Sequence, residues 1–171
     1  RYLPAIRTAV APGRAFGLGL RLGGAAAQGL QDDAALGELQ ELLAAENAYA
    51  FTINGFPYGN FHGTRVKEQV YAPDWSTPER LSYTNSLADT LARVLPNGVA
   101  GSISTVPGTF GRWAEGRIDA VTENLVRHAA YLALTEERTG KPIALALEPE
   151  PACYLETIEK TAAYFEQSLF G

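Results

Sequence analysis

The sequence predicts an α/β fold in which a parallel β-sheet alternates with helices. Strand-like apolar segments recur at roughly 40-residue intervals, and the stretches between them carry apolar residues at helical spacing. The last segment, Ile143–Leu147, is an unbroken apolar run, which is typical of a strand buried on both faces. The predicted strands are 16–22, 48–54, 99–104 and 143–147.

Helix boundaries are indicated by capping residues. Asp32 is a candidate N-cap, Ser76 and Glu79 have the spacing of a capping box, and Gly140 stands where a C-terminal glycine belongs. A first helix is expected around 2–11. The last helix is expected over about 155–169, and its predicted inward side chains are Ile158, Ala162 and Phe165.

Composition excludes several classes of protein. The 171 residues carry a net charge of −5, so a basic nucleic-acid surface is not expected. No apolar run approaches the roughly 20 residues of a membrane span. The single cysteine excludes an internal disulfide and fits the reducing cytoplasm. The lack of any methionine indicates an internal piece of a longer protein.

Two closures of the sheet compete, an open doubly wound sheet and part of an eight-stranded barrel. The dinucleotide fingerprint of the first is weak, because Gly17 and Gly19 lie inside their strand. The long loops, at 55–75, 105–114 and 148–154, all follow strand carboxyl ends, as in a (β/α)₈ barrel. A whole barrel takes about 250 residues, so the chain would supply only about four consecutive βα units.

Two carboxylates follow the last strand directly. Glu148 and Glu150 each precede a proline, which restricts the loop and favours a preorganised carboxylate. The carboxyl end of a strand is the ligand-binding end in βα folds, so both are candidate catalytic residues. Glu148 is favoured as the first residue beyond the apolar run. A plain solvated strand exit is the alternative.

Two other strand exits offer candidate substrate-binding residues. Asn54, His62 and Arg65 provide polar groups in a Gly-, Pro- and aromatic-rich loop, although an aromatic surface loop is equally compatible with it. Ser104 and Thr105 could hold a hydroxylated or anionic ligand, on a weak signal. The second histidine, His128, lies within a helix among apolar neighbours and is expected at a packing or solvent edge.

Four blocks of the sequence resemble the EboE metabolite-traffic family, which belongs to the xylose isomerase-like TIM barrels, often described as sugar phosphate isomerases/epimerases. The blocks are 51–59, 61–68, 101–108 and 144–151. The resemblance implies a (β/α)₈ barrel with a divalent metal at the strand ends. It also implies membrane-protein partners from the same gene cluster, which move a small metabolite precursor out of the cytoplasm.

The resemblance implies that Glu148 ligates the metal, because a Glu ending a mid-barrel strand does so in the superfamily. The other ligands come from later strands, and a first strand is also expected to precede this chain. Oxygen ligands favour Mg²⁺ or Mn²⁺, and added imidazoles would allow Zn²⁺. Such a partial barrel exposes sheet edges, so another chain, including a second copy in a homo-oligomer, could complete it.

Three functions remain open. The first is metal-dependent isomerisation or epimerisation of a small polyhydroxylated or sugar-phosphate metabolite. The second is a non-catalytic binding protein that passes a metabolite to membrane partners. The third is a metal-dependent phosphoesterase acting on DNA, against which the acidic balance and the shortage of histidines argue. Fold alone does not decide among them.

Overall fold

A computed structural model describes residues 2–59 and 67–170. Four strands form one parallel sheet in the order of the chain: β1 (Phe16–Arg21), β2 (Ala48–Asn54), β3 (Gly101–Thr105) and β4 (Ile143–Leu147). All four lie where the sequence predicts strands, and the predicted parallel pairing is confirmed.

Helices precede the sheet, connect its strands and follow the last strand. They are α1 (Leu3–Val10), α2 (Gly24–Gly29), α3 (Asp33–Ala45), α4 (Pro78–Val94), α5 (Ile118–Thr139) and α6 (Ile158–Tyr164), with a π-helical turn at Phe165–Leu169. Short 3₁₀ helices at Lys67–Tyr71 and Gly111–Trp113 interrupt the long loops that follow β2 and β3. Helix α2 was not predicted.

The strand register separates the two faces of the sheet. Ile53, Ile103 and Leu145 are register partners on the face against which the helices pack, and both isoleucines are fully buried. The neighbouring row, Asn54, Ser104 and Ala146, points to the opposite side. Asn54 and Ala146 are exposed and Ser104 is half-buried. We call this second side the uncovered face.

The core lies between the sheet and α4 and α5. Leu87 and Leu91 of α4, and Leu95 at its C-cap, are buried in the cluster that packs against β2 and β3. Each fully buried aliphatic side chain contributes roughly 1.5–3 kcal/mol. A second cluster, nearer the strand carboxyl ends, surrounds the fully buried Trp75. The helices therefore hold the strand ends, and the loops on them, in fixed positions.

Two of the predicted helix caps are confirmed and one is wrong. The Asp32 carboxylate accepts hydrogen bonds from the amides of Ala34 and Ala35, both at 3.0 Å. Gly140 ends α5 with φ of 68°, in the left-handed region. The Ser76–Glu79 capping box does not form, because Thr77 is the N-cap and the Ser76 hydroxyl bonds to Asp74 instead.

The predicted inward face of the last helix is wrong for two of its three residues, Ile158 and Ala162. Ile158 is 76% exposed and Ala162 is exposed, whereas Tyr164 is buried and its hydroxyl lies 2.7 Å from the Thr122 hydroxyl. The helix begins at Ile158, which places that residue in a solvated first turn, and the π-helical turn after Tyr164 changes the spacing. Phe165 is half-buried beside α5.

Among the described residues, no helix combines the length and apolarity needed to cross a membrane.

Candidate functional site

A cleft of about 370 Å³ opens at the carboxyl ends of β2 and β4. Its position is the one that the loop lengths predict for a ligand site. The loops after these two strands supply its lining: Asn54, Phe56, Pro57, Val70, Tyr71, Glu148 and Glu150. Three of the candidate residues from the sequence, Asn54, Glu148 and Glu150, are thus brought to one cavity.

Glu148 and Glu150 reach the cleft by continuing the strand direction of β4. The Glu148 amide donates to the Thr105 carbonyl at 3.1 Å, so the ladder with β3 extends one residue past the strand. Glu148 lies two residues beyond Ala146, on the side of the uncovered face. The Glu150 amide donates to the Leu155 carbonyl at 3.3 Å, which closes the loop behind the carboxylate. Both side chains are half-buried.

Asn54 is oriented by its own loop. Its side-chain oxygen accepts a hydrogen bond from the Phe56 amide at 3.1 Å, and the Gly55 amide donates to the Ser104 carbonyl at 2.9 Å. With the Oδ1 atom assigned to the turn, the side-chain NH₂ group is the part of Asn54 that can donate to a ligand.

Tyr71 is a cleft residue that sequence reasoning missed. Its hydroxyl donates to Glu150 Oε2 at 2.9 Å. Its ring stacks on Phe110 at 5.3 Å and meets the edge of Phe56 at 5.7 Å. Burial, followed by the hydrogen bond to Glu150, raises the pKa of the Tyr71 hydroxyl, which therefore stays protonated at neutral pH. No local sequence pattern marks a tyrosine 79 residues from the carboxylate it contacts.

The three loops around the cleft are joined by backbone hydrogen bonds. The Trp75 amide donates to Gly108 at 3.0 Å, which links the loop after β2 to the loop after β3. The Gly111 amide donates to Ala152, and Tyr154 donates to Thr109, both at 2.9 Å, around an antiparallel bridge between Phe110 and Cys153. These bonds hold the Glu150 segment against the β3 loop.

Two buried ionisable residues, Arg80 and Asp74, hold the backbone of the loop after β2 in place. Arg80 is fully buried and donates to the carbonyl oxygens of Pro73, Gly55 and Phe56 at 2.7, 2.7 and 3.1 Å. Burial lowers the pKa of Arg80 to about 10. Asp74, 2% exposed, accepts hydrogen bonds from the hydroxyls of Ser76 and Thr109. The backbone entering the cleft is therefore tied to α4 and to the β3 loop.

Two further candidate residues, Ser104 and Thr105, are described by the structure and do not line the cleft. Ser104 lies beside Asn54 on the uncovered face. Thr105 points to the helices, where its buried hydroxyl accepts a hydrogen bond from Trp75 Nε1 at 3.1 Å. The alternation along β3 explains this difference, because neighbouring residues face opposite sides. His62 and Arg65 lie outside the described residues.

His128 is fully buried between α4 and α5, not at a solvent edge. Its Nδ1 atom lies 2.7 Å from Asn85 Oδ1, and its ring centroid lies 5.6 Å from that of Trp75. Burial lowers the pKa of His128 to about 4, so the imidazole is neutral at pH 7. Its place among the helices separates it from the cleft.

The two cleft carboxylates fit part of a divalent-metal site. Carboxylate oxygens are hard donors that suit Mg²⁺ or Mn²⁺. Within residues 2–59 and 67–170, no three His, Cys, Asp or Glu side chains gather closely enough to hold a metal together. Glu148 and Glu150 would thus supply only some of the ligands, alongside water or other protein groups.

No protein-family model, no curated protein and no solved structure matches this chain. The fold and the cleft define it as an α/β protein with a carboxylate-bearing cavity at the carboxyl edge of a parallel sheet.

Proposed function

We propose that the chain is part of a xylose isomerase-like (β/α)₈ barrel that isomerises or epimerises a small polyhydroxylated or sugar-phosphate metabolite with the help of a divalent metal. The observation that carries the proposal is the meeting of Glu148, Glu150 and Asn54 in one cleft at the carboxyl edge of the sheet. The family resemblance adds a link to metabolite export, to membrane-protein partners and to the cytoplasm.

The topology supports a barrel over a doubly wound sheet. The strands follow one another in chain order, whereas a doubly wound sheet reverses direction at a switch point and carries helices on both faces. On the uncovered face, Thr52 and Ser102 join hydroxyls at 2.8 Å, and Ala144 and Ala146 are small. Such side chains suit the interior of a barrel closed by further strands.

Five of the residues that line the cleft have a role in this proposal. Glu148 holds the metal, and Glu150 supports it or accepts a proton from the substrate. The Asn54 NH₂ group donates to a substrate hydroxyl, and Phe56 and Tyr71 provide an apolar wall for the carbon skeleton. The metal, when bound, polarises a carbonyl or hydroxyl oxygen of the substrate.

Substitution of Glu148 tests the metal site. We expect Glu148→Gln to weaken Mn²⁺ binding at least about tenfold, because it replaces an anionic oxygen donor by a neutral amide. Electron paramagnetic resonance of free Mn²⁺ during titration of the intact protein measures the affinity.

Glu137→Gln is the matched control. Glu137 is exposed near the end of α5, which precedes β4, so it lies towards the opposite edge of the sheet from the cleft. Its substitution removes the same charge and should leave Mn²⁺ affinity unchanged. Equal affinities of Glu148→Gln and the unsubstituted protein would reject the role of Glu148.

A binding protein without turnover is the second candidate. It is favoured by the cleft having two carboxylates but no third metal-ligating side chain among the described residues. In that case a metabolite would co-purify unchanged, and a panel of sugars and cyclitols would show binding without conversion. Product formation from any of them, lost in Glu148→Gln, would favour the enzyme.

A further inference from the structure

Tyr71 lies where the loops after β2, β3 and β4 meet. It belongs to the first loop, stacks at an interplanar angle of 15° on Phe110 of the second, and donates its hydroxyl to Glu150 of the third. The ring is thus held by stacking, independently of the hydroxyl. This separation means that the hydroxyl can be removed while the ring stays in place.

The backbone of Glu150 is fixed, whereas its side chain has one observed anchor. Pro149 and Pro151 restrict the flanking torsions, and the amide bonds to Leu155 at 3.3 Å. Among the described residues, the hydrogen bond from Tyr71 is the one that holds the carboxylate. Without it, the carboxylate could rotate among several rotamers in the open cleft.

We propose that Tyr71 is a positioning residue, which fixes the Glu150 carboxylate in the cleft so that its second oxygen faces the metal or substrate beside Glu148. The inference rests on the proposed function and deepens it by giving Tyr71, on the loop after β2, a role at the Glu150 carboxylate on the loop after β4. A hydrogen bond to an ionised acceptor is stronger than one between neutral groups.

The first test observes Glu150 itself. In protein labelled with ¹³C at the glutamate carboxyl carbon, the Glu150 signal is identified by its loss in Glu150→Gln. We expect Tyr71→Phe to move this signal and to leave the Glu148 signal, identified in the same way, unchanged. Tyr154→Phe is the control, because it removes a phenol hydroxyl from the loop that carries Glu150, and it should move neither signal.

The second test measures Mn²⁺ affinity in a double-mutant cycle. Tyr71→Phe should weaken binding by up to about tenfold when Glu150 is present. It should have no further effect in Glu150→Gln, because its influence passes through that carboxylate. A merely structural role would instead reduce affinity equally in both backgrounds, and that result would overturn the inference.

The two tests separate this inference from the proposed function. An unmoved Glu150 signal in Tyr71→Phe overturns the role of Tyr71, whatever the metal affinity. A moved signal, together with no Mn²⁺ binding by the unsubstituted protein, supports the fixing of Glu150 by Tyr71 and rejects the metal-dependent function.

Discussion

The cleft owes its shape to single buried residues far from it in sequence. Arg80 is the clearest case, since its guanidinium satisfies three backbone carbonyls in the loop that carries Asn54 and Phe56. A buried charge without these partners would be strongly destabilising. The carbonyl dipoles thus replace the water that Arg80 loses on folding.

We expect Arg80→Met to lower the free energy of unfolding by at least about 3 kcal/mol, because three buried carbonyls lose their donor. Urea denaturation followed by Trp fluorescence measures the change. Arg127→Met is the control: its side chain is 62% exposed in an i,i+4 pair with Glu123, and such a pair contributes about 0.5 kcal/mol. Equal losses in the two variants would contradict the anchoring role of Arg80.

At the residue scale, sequence predicts what depends on strand position and misses what depends on tertiary contact. Glu148 and Asn54 were found because Glu148 follows an apolar strand directly and Asn54 ends one. Tyr71 and Arg80 were not, since their partners lie 79 and 25 residues away. Thr105 was misjudged because a one-residue difference in position reverses the face of a strand.

At the scale of elements, α4 and α5 form the layer that supports the cleft. His128 lies between them with its Nδ1 atom on Asn85, and among the described groups its Nε2 atom has no hydrogen-bond partner. Protonation would place a charge at this buried atom. The contact between the two helices should therefore weaken in acid.

The pH dependence follows from the pKa of His128, about 4 in the folded protein against 6.5 ordinarily. As the pH falls, the unfolded chain binds a proton at His128 before the folded protein does. The free energy of unfolding therefore falls as the pH drops from about 6.5 to about 4. We expect a loss of about 2 kcal/mol between pH 7 and pH 5 from this residue. Urea denaturation at both values should show it in the native protein and not in His128→Gln. The same loss in the variant would assign it to other groups.

Elements were predictable where the apolar period was long. The strands each carry a periodic or continuous apolar run, and their predicted positions hold, while α5 ends at the predicted Gly140. Helix α2 was missed because Gly24–Gly29 consists of glycine, alanine and one glutamine, with no apolar period. The capping box failed because Asp74 competes for the Ser76 hydroxyl, a contact made in the folded loop.

At the scale of the whole molecule, one side of the sheet is packed and the other is not. The same sheet therefore carries alanines in opposite environments. Ala50 on β2 is fully buried, whereas Ala146 on β4 is exposed. A comparison of substitutions at Ala50 and Ala146 tests which side of the sheet faces water in solution.

We expect Ala146→Lys to change the free energy of unfolding by less than about 1 kcal/mol, because the ammonium group remains solvated. Ala50→Lys should cost more than about 4 kcal/mol or prevent folding, because it buries an unpaired charge. Thermal or urea denaturation of the 171-residue chain measures both. A large loss in Ala146→Lys would show that another chain or a second copy covers this face.

Neither the sequence nor the four observed strands determine whether the sheet closes into a barrel, and barrel closure therefore belongs to the proposed function. Local periodicity predicts strands and their parallel pairing. Closure depends on strand tilt and stagger summed over all strands, and the four strands here give only part of that sum.

The bridge between Phe110 and Cys153 has a thermodynamic consequence for any molecule that enters the cleft. Because the loops after β3 and β4 are already joined by backbone hydrogen bonds, their backbone entropy is lost when the protein folds and not when a ligand binds. A ligand can then bind with little rearrangement of the loops around the cleft. Its affinity reflects chiefly its direct contacts with the cleft residues and the water that it displaces from the cleft.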